Sequence, residues 1–339
     1  MFPNTNKIND MPINKKANLN SEVFDLTKLE QKPTRDGYGR GLVAAAEVDK
    51  NVVVLCADLT ESTRSHWFKE KFPERFVQLG VSEQSMAAIA AGMALVGKIP
   101  FISSYAVFSP GRNWEQIRTN LALNFVNVKI AGAHAGVSVG PDGATHQAIE
   151  DIATMRVIPK MTVIYPCDML EAKKATEAAA KWPGPVYLRF AREKSPLFTT
   201  EKTSFQIGRA EVYHEGVDAA IVACGPLLHE ALLAARALSK NKIFVRVINC
   251  HTIKPLDEKT ILAAAKDCGA VVTVEEHQVL GGLGGAVAEL LAKKQPTPME
   301  FIGIQDHFGE SGEPRELLEA FKLTAPAIIA AVKRILKRK

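Results

Sequence analysis

Residues 82–103 read SEQSMAAIAAGMALVGKIPFIS and place an apolar helix directly before a short apolar strand. Residues 82–96 are apolar on every side after the first turn, so we expect this helix to be buried. Ile99 to Ser103 has the length and composition of a strand. A helix followed by such a strand is the repeating unit of a parallel sheet wound by helices.

The same alternation continues on both sides of this unit, breaks at a polar stretch after Ser195, and resumes after Val217. We therefore predict an α/β protein with two doubly wound domains, the first with a parallel sheet and the second smaller. The predicted division is a flexible N-terminal tail (1–33), a first domain (34–195), a linker (196–217) and a second domain (218–339).

Composition supports a globular protein that acts on small molecules. The chain has 339 residues, of which 47% are hydrophobic and 23% charged, which excludes disordered and membrane-spanning classes. The net charge of 42 − 37 = +5 lies partly in residues 333–339, so we expect no nucleic-acid partner. The five cysteines form no C-x-x-C pair and predict buried free thiols in a reducing cytoplasm. The asparagine-rich amino end has no apolar run typical of a secretory signal.

Glu83 is the only charged residue of the apolar helix, and it follows Ser82, a plausible N-cap. One interpretation is that its carboxylate complements the positive end of the helix dipole. The other is a functional buried carboxylate, whose environment suits acid–base chemistry.

A second candidate is the glycine-rich turn from Ala133 to Gln147, which contains His134, Asp142 and His146. It follows a predicted strand, and α/β proteins bind ligands beyond the carboxyl ends of parallel strands. Histidine-rich glycine loops seldom serve packing alone, although His146 could be a simple surface residue.

Other features carry weaker signals. Tyr105 and Phe108 are more typical of a core than of a cofactor platform. Gly281 to Gly285 mimics a phosphate-binding loop but favours a tight turn at a helix start. Ordinary surface positions are predicted for Arg35, Ser62, Arg189 and Arg192. The sequence has no Walker motif, no zinc-ligand spacing and no Gly-Asp-Gly triplet.

Taken together, four motifs closely resemble transketolase. Their order and spacing match its pyrimidine-binding domain, and the resemblance covers almost the whole chain from about Thr34 to the end. They are Ala57-Asp-Leu-Thr60, Leu79-Gly-Val-Ser-Glu-Gln-Ser-Met86, Tyr105-Ala-Val-Phe108 and Gly140-Pro-Asp-Gly-Ala-Thr-His-Gln147. The resemblance implies a thiamin-diphosphate (pyrimidine-binding) domain followed by the transketolase C-terminal domain. It also implies that the diphosphate- and metal-binding domain, with its Gly-Asp-Gly motif, belongs to another chain.

The resemblance implies a C-terminal subunit that transfers a two-carbon ketol unit from a ketose phosphate to an aldose phosphate, as in the pentose phosphate pathway. Its partner would be an N-terminal subunit holding Mg²⁺ or another divalent cation, with two copies of each chain in a heterotetramer. Glu83 and His146 would be catalytic. The resemblance also implies cofactor contacts from Asp58, Glu83, Tyr105 and Phe108, and substrate contacts from Arg35, Ser62, His134, Asp142 and Arg192.

Related functions remain alternatives at this point. Ser82-Glu83-Gln84 is nearer to deoxyxylulose-phosphate synthases and to oxo-acid dehydrogenase β subunits than to the Arg-Glu-His of many transketolases. A third alternative is a non-catalytic regulatory subunit built on the same fold.

Overall fold

The computed structural model describes residues 13–339, and within that range the chain forms 14 strands and 11 α-helices. The strands are β1 (Gln31–Pro33), β2 (Val52–Cys56), β3 (Phe76–Gln78), β4 (Ile99–Tyr105), β5 (Lys129–Ala133), β6 (Thr162–Ile164), β7 (Val186–Arg189), β8 (Lys194–Pro196), β9 (Glu211–His214), β10 (Ala219–Ala223), β11 (Val245–Asn249), β12 (Thr252–Lys254), β13 (Val271–Gln278) and β14 (Met299–Ile304). The helices are α1 (Thr34–Val48), α2 (His66–Lys71), α3 (Glu83–Leu95), α4 (Trp114–Gln116), α5 (Asp151–Arg156), α6 (Met169–Lys181), α7 (Leu227–Ser239), α8 (Glu258–Cys268), α9 (Leu283–Lys294), α10 (Pro314–Ala320) and α11 (Ala325–Ile335).

The first domain is built on a seven-stranded sheet in the order β12-β6-β7-β5-β4-β2-β3. All of its pairs are parallel except β12 with β6. Strand β2 reads Val-Val-Val-Leu-Cys and is buried along its whole length, as a strand covered on both faces requires. This parallel α/β architecture confirms the fold class predicted from the sequence.

Helices α1 and α6 pack closely because α1 carries glycines where they meet. A Cβ atom at Gly37 would lie 2.1 Å from the Met169 carbonyl oxygen, and one at Gly41 would lie 2.6 Å from the Thr176 Cβ. Helix α6 begins cleanly at its N-cap, where the Asp168 carboxylate accepts the Glu171 backbone N–H at 3.0 Å.

The second domain has a five-stranded sheet in the order β14-β13-β10-β11-β9. Its last strand, β9, runs antiparallel to β11 and lies inside the stretch predicted to be a linker. The predicted linker therefore contains a strand at the sheet edge. The sequence did not indicate it, because the residues around β9 are polar. Two α/β domains of the expected kind are nevertheless present.

The two domains are joined by a strand pairing and by the contacts of a buried arginine. Strand β12 belongs in sequence to the second domain, yet it closes one edge of the first sheet. Arg189, predicted at the surface, is fully buried and pairs with Asp151 at 2.8 Å. Its guanidinium also donates to the Glu276 carbonyl oxygen of β13 at 3.0 Å. The surface prediction for Arg189 is wrong because its partners are distant in sequence and meet only in the fold.

Residues 13–33 differ from the predicted flexible tail; the first twelve residues of that tail lie outside the described residues. Strand β1 pairs antiparallel with β8, and Val23 and Leu29 are buried in the core of the second domain. The Val23 carbonyl oxygen contacts the buried His229 ring at 2.7 Å. Scattered apolar residues within a polar segment anchor it across both domains.

Helix α3 is buried on one side only, which corrects the expectation of a helix buried all round. Met86, Ala87 and Ala90 face the core, whereas Leu95 is 73% exposed. A Cβ atom at Gly92 would have no neighbour within 4 Å. The apolar face of α3 is therefore left open by the rest of the described chain.

All five cysteines are buried and free, as expected. Between residues 13 and 339, none of the helices combines the length and apolar character needed to cross a membrane.

Candidate active site

The candidate active site lies beyond the carboxyl ends of β2, β3, β4, β5 and β7, where parallel α/β sheets bind ligands. Two non-glycine residues at these ends, Asp58 and His134, adopt left-handed backbone conformations with φ of 59° and 56°. Such conformations are rare outside glycine and concentrate at functional sites.

Glu83 is the first residue of α3, and it is only 4% exposed. The chain reaches it from β3 through a turn at Gly80, which has a φ of 64°. The predicted N-cap interaction of Ser82 is absent, because its hydroxyl donates instead to the Leu79 carbonyl oxygen at 2.6 Å. A buried carboxylate at a helix start is compatible with both interpretations from the sequence, because the helix dipole stabilises a negative charge there and burial shields the group from water.

Arg112 is the cation paired with Glu83. Its Nη1 atom lies 3.1 Å and 3.3 Å from the two carboxylate oxygens. Its guanidinium carbon also lies 4.0 Å from the centre of the Phe108 ring. No pattern in the sequence pointed to this arginine.

Tyr105 and Phe108 are half-buried and form a ring platform, not part of the core. Their ring centroids are 5.8 Å apart with planes inclined by 17°. The His134 ring stacks on Tyr105 with a centroid separation of 3.9 Å. The His146 ring stands edge-on to Phe108 at 5.5 Å.

A cationic cluster surrounds His134. Arg35 Nη1 lies 3.3 Å from His134 Nε2 and donates to the Ser62 carbonyl oxygen at 2.9 Å. Burial, followed by the charges of Arg35, Arg192 and Arg64, lowers the pKa of His134 to about 2. Because guanidinium only donates, Nε2 must accept from Arg35, so the ring is neutral and carries its proton on Nδ1. This cluster is suited to an anionic ligand.

Asp142 lies on a turn of 3-10 helix over Val137–Asp142, which contains Gly140 at a φ of 84°. Arg192 links the turn to the cationic cluster, since its Nη1 donates to the Val139 carbonyl oxygen at 2.6 Å and lies 3.8 Å from Asp142. His146 follows on the same loop and contacts the Thr145 hydroxyl at 2.9 Å.

Residues of the second domain form hydrogen bonds with this loop. The Glu276 carboxylate accepts the Ser138 N–H at 2.7 Å, and Gln147 Nε2 donates to the Glu310 carbonyl oxygen at 2.9 Å. A Cβ atom at Gly136 would lie 2.2 Å from Glu276 Oε1, so glycine is required there. Glu276 and Gln147 position this loop; no sequence pattern pointed to Glu276, whereas Gln147 ends the motif Gly140–Gln147.

Asp58 stands slightly apart from the other nominated residues. It is exposed, and its carboxylate accepts from Gln78 Nε2 at 2.9 Å. Seven of the other predicted site residues are joined through direct contacts or through Arg112, and the remaining two, Asp142 and Arg192, lie 3.8 Å from each other. The glycine loop before α9 is separate and is a tight turn at a helix start, where the Glu275 carboxylate accepts the N–H groups of Leu283 and Gly284 at 2.7 Å and 2.8 Å.

Comparison with known proteins identifies the family of this fold and site. Residues 30–196 match the transketolase pyrimidine-binding domain, and residues 208–328 match the transketolase C-terminal domain. The chain is 43% identical over 310 residues to a putative transketolase C-terminal section of Methanocaldococcus jannaschii, covering 91% of this chain and 97% of that protein. The chain belongs to the transketolase family.

Two further transketolase relatives bear on its role. A 6-deoxy-6-sulfo-D-fructose transketolase subunit of a Clostridium species is 39% identical, over 92% of this chain and 97% of that one. A solved split-gene transketolase, an inactive β4 tetramer, is 44% identical with a TM-score of 0.85, covering 90% of this chain and 98% of that chain. The chain spans about half the length of the mammalian transketolases that it also matches.

Proposed function

We propose that this chain is the C-terminal subunit of a two-chain transketolase that moves a two-carbon ketol unit from a ketose phosphate to an aldose phosphate. The observation that carries the proposal is the buried Glu83 carboxylate beside the Tyr105–Phe108 platform, next to the cationic cluster around His134. One end of this site suits a flat heteroaromatic ring and the other suits an anion.

Glu83, Tyr105 and Phe108 fit the aminopyrimidine half of thiamin diphosphate. When bound, that cofactor supplies the nucleophilic carbon and the electron sink needed to break a carbon–carbon bond beside a carbonyl. The ring platform is built from the side chains on which an aromatic heterocycle could stack. Glu83, held dry at the start of α3, would hydrogen-bond N1′ of the pyrimidine and favour the tautomer that can remove a proton. Asp58 would lie near the cofactor.

The cationic cluster fits the phosphate end of the sugar. Arg35, Ser62, His134 and Arg192 would bind that group, because guanidinium forks recognise tetrahedral oxyanions well. Asp142 and His146 would contact the sugar hydroxyls at the reacting end, with His146 edge-on to the ring platform. The sulfosugar relative acts on a substrate with a different anionic end, so phosphate is the specific part of the proposal that needs measurement.

The diphosphate and a divalent cation would be held by an N-terminal partner subunit. Within the part of the chain that the structure describes, no group of three or more His, Cys, Asp or Glu side chains could hold a metal. The open apolar face of α3 begins one turn after Glu83 and supports an interface beside the site. We propose two copies of each chain in the active assembly.

A reconstituted assay tests this function. The chain is mixed with an N-terminal transketolase section, thiamin diphosphate and Mg²⁺, and ketol transfer from xylulose 5-phosphate to ribose 5-phosphate is followed. We expect Glu83→Gln to lower the rate by at least about 100-fold, within the range for loss of a general acid–base group. Glu115→Gln is the matched control, because Glu115 is an exposed carboxylate nearby.

Offering pyruvate to the same reconstituted mixture distinguishes the synthase-like and dehydrogenase-like alternatives. Pyruvate turnover faster than ketol transfer would favour a synthase-like or dehydrogenase-like subunit. A Glu83→Gln variant within about threefold of the wild type, a change under roughly 1 kcal/mol, would show that Glu83 has another role.

A further inference from the structure

Arg112 lies on the two groups that the proposed function assigns to the cofactor ring. Its Nη1 atom is 3.1 Å and 3.3 Å from the Glu83 carboxylate oxygens, and its guanidinium carbon is 4.0 Å from the Phe108 ring centre. Glu83 is 4% exposed, whereas the Arg112 side chain is 48% exposed. The arginine therefore covers a buried carboxylate from the solvent side.

Hydrogen bonds fix the backbone around Arg112, whereas its side chain has few partners. Asn113 Nδ2 donates to the Glu83 carbonyl oxygen at 3.1 Å, and Gln84 Nε2 donates to the Arg112 carbonyl oxygen at 3.3 Å. The guanidinium has only the Glu83 carboxylate and the Phe108 ring as described partners. Rotation about the side-chain bonds would free both groups without moving the backbone.

We propose that Arg112 is a gate that occupies the pyrimidine site until the cofactor displaces it. This inference rests on the proposed function of Glu83 and Phe108. A carboxylate that accepts from a guanidinium has its facing lone pairs engaged, and a ring face covered by a cation is closed to stacking. Both groups become available to a pyrimidine only when Arg112 moves away.

Arg112 also stabilises the free chain, because it neutralises the buried Glu83 carboxylate. An ionised carboxylate buried without a partner is costly, and removal of one member of a buried pair destabilises a protein. Arg112 supplies the missing counter-charge before the cofactor and partner subunit arrive. Its own exposure keeps the ion pair weak enough to exchange.

Binding of the isolated pyrimidine fragment tests the gate without enzyme activity. The probe is 4-amino-5-hydroxymethyl-2-methylpyrimidine, which carries no diphosphate, titrated into the free chain and followed by ligand-observed NMR at pH 7.5. We expect Arg112→Ala to bind the probe roughly threefold to tenfold more tightly than the wild type, as loss of a competing ion pair and cation–π contact predicts.

Three further variants make the result specific. Arg118→Ala removes the same charge from an exposed position six residues later and should leave affinity within twofold. Arg112→Gln keeps a polar side chain beside Glu83, and should bind with intermediate affinity if Arg112→Ala fails to fold. Glu83→Gln should weaken binding.

The outcomes separate the gate from the proposed function. If Arg112→Ala binds the probe as weakly as the wild type or more weakly, while Glu83→Gln still weakens binding, the gate is wrong and the pyrimidine site stands. If no variant binds, or if Glu83→Gln has no effect, the pyrimidine site itself is wrong and the gate falls with it.

Discussion

His134 has an electrostatic environment that keeps its ring neutral. Burial and three nearby arginines lower its pKa to about 2, while the pKa of an ordinary histidine is 6.5. The folded protein therefore binds fewer protons at this site than the unfolded chain does between those two values. By linkage, the contribution of His134 to the unfolding free energy falls as the pH drops below about 6.5.

Because the ring stays neutral, the NMR signals of His134 should not change with pH over the ordinary range of histidine titration. Between pH 8 and pH 5, the ring ¹⁵N chemical shifts of His134 should stay those of a neutral imidazole with its proton on Nδ1. A His134→Asn variant assigns the signal. A titration midpoint near 6.5 would contradict the placement of His134 within the cationic cluster.

At the scale of elements, the turn over Val137–Asp142 depends on the second domain for its position. Glu276 is 1% exposed, and burial raises its pKa, yet it accepts the Ser138 N–H at 2.7 Å. The turn carries Asp142, one of the residues proposed to contact the sugar. A strand of one domain thus holds a loop of the other that we propose to contact the substrate.

Loss of the hydrogen bond between Glu276 and Ser138 should affect substrate binding more than the chemical step. Glu276→Ala leaves the Ser138 N–H unsatisfied, a loss of about 1–3 kcal/mol, and we expect the KM for the ketose phosphate to rise about tenfold. Steady-state kinetics of the reconstituted enzyme measure the split between KM and kcat. Glu276→Gln keeps an acceptor oxygen for the Ser138 N–H, so its KM should stay close to that of the wild type. Equal KM values in the two variants would mean that this hydrogen bond does not position the loop for substrate binding.

The sequence predicted elements and motifs better than it predicted contacts. Glu83 and the loop residues His134, Asp142 and His146 follow strand ends, so local pattern was enough to nominate them. Arg112 and Glu276 carry no such pattern, because each acquires its role from a residue far along the chain. Arg189 looked like a surface cation for the same reason, since its partner Asp151 meets it only when the strands are assembled.

At the scale of the whole molecule, residues 13–339 form two packed domains but leave an apolar face open. Strand β12 follows β11 of the second domain in sequence but pairs with β6 of the first sheet, and the segment 13–33 packs across both domains. On α3 and at the residue that follows it, however, Ile89, Leu95 and Val96 are 39%, 73% and 78% exposed. Exposed apolar surface beside a functional site is typical of an interface.

A charged residue in this face should block assembly without harming the fold. Gly92→Arg meets no neighbour in the free chain and replaces a poor helix former, so the melting temperature should not fall. We expect it to lose association with the partner subunit or with a second copy, measured by light scattering, and to lose ketol transfer. Gly92→Ala is the control. Normal assembly of Gly92→Arg would show that this face stays open.

Cofactor affinity tests the central claim, that this chain supplies only the pyrimidine and sugar half of a shared site. Thiamin diphosphate, with Mg²⁺, is titrated calorimetrically into the chain alone, into an N-terminal transketolase section alone, and into their mixture. We predict that the mixture binds at least about 100-fold more tightly than this chain alone, a difference of about 2.7 kcal/mol. Equally tight binding by the chain alone would contradict the account.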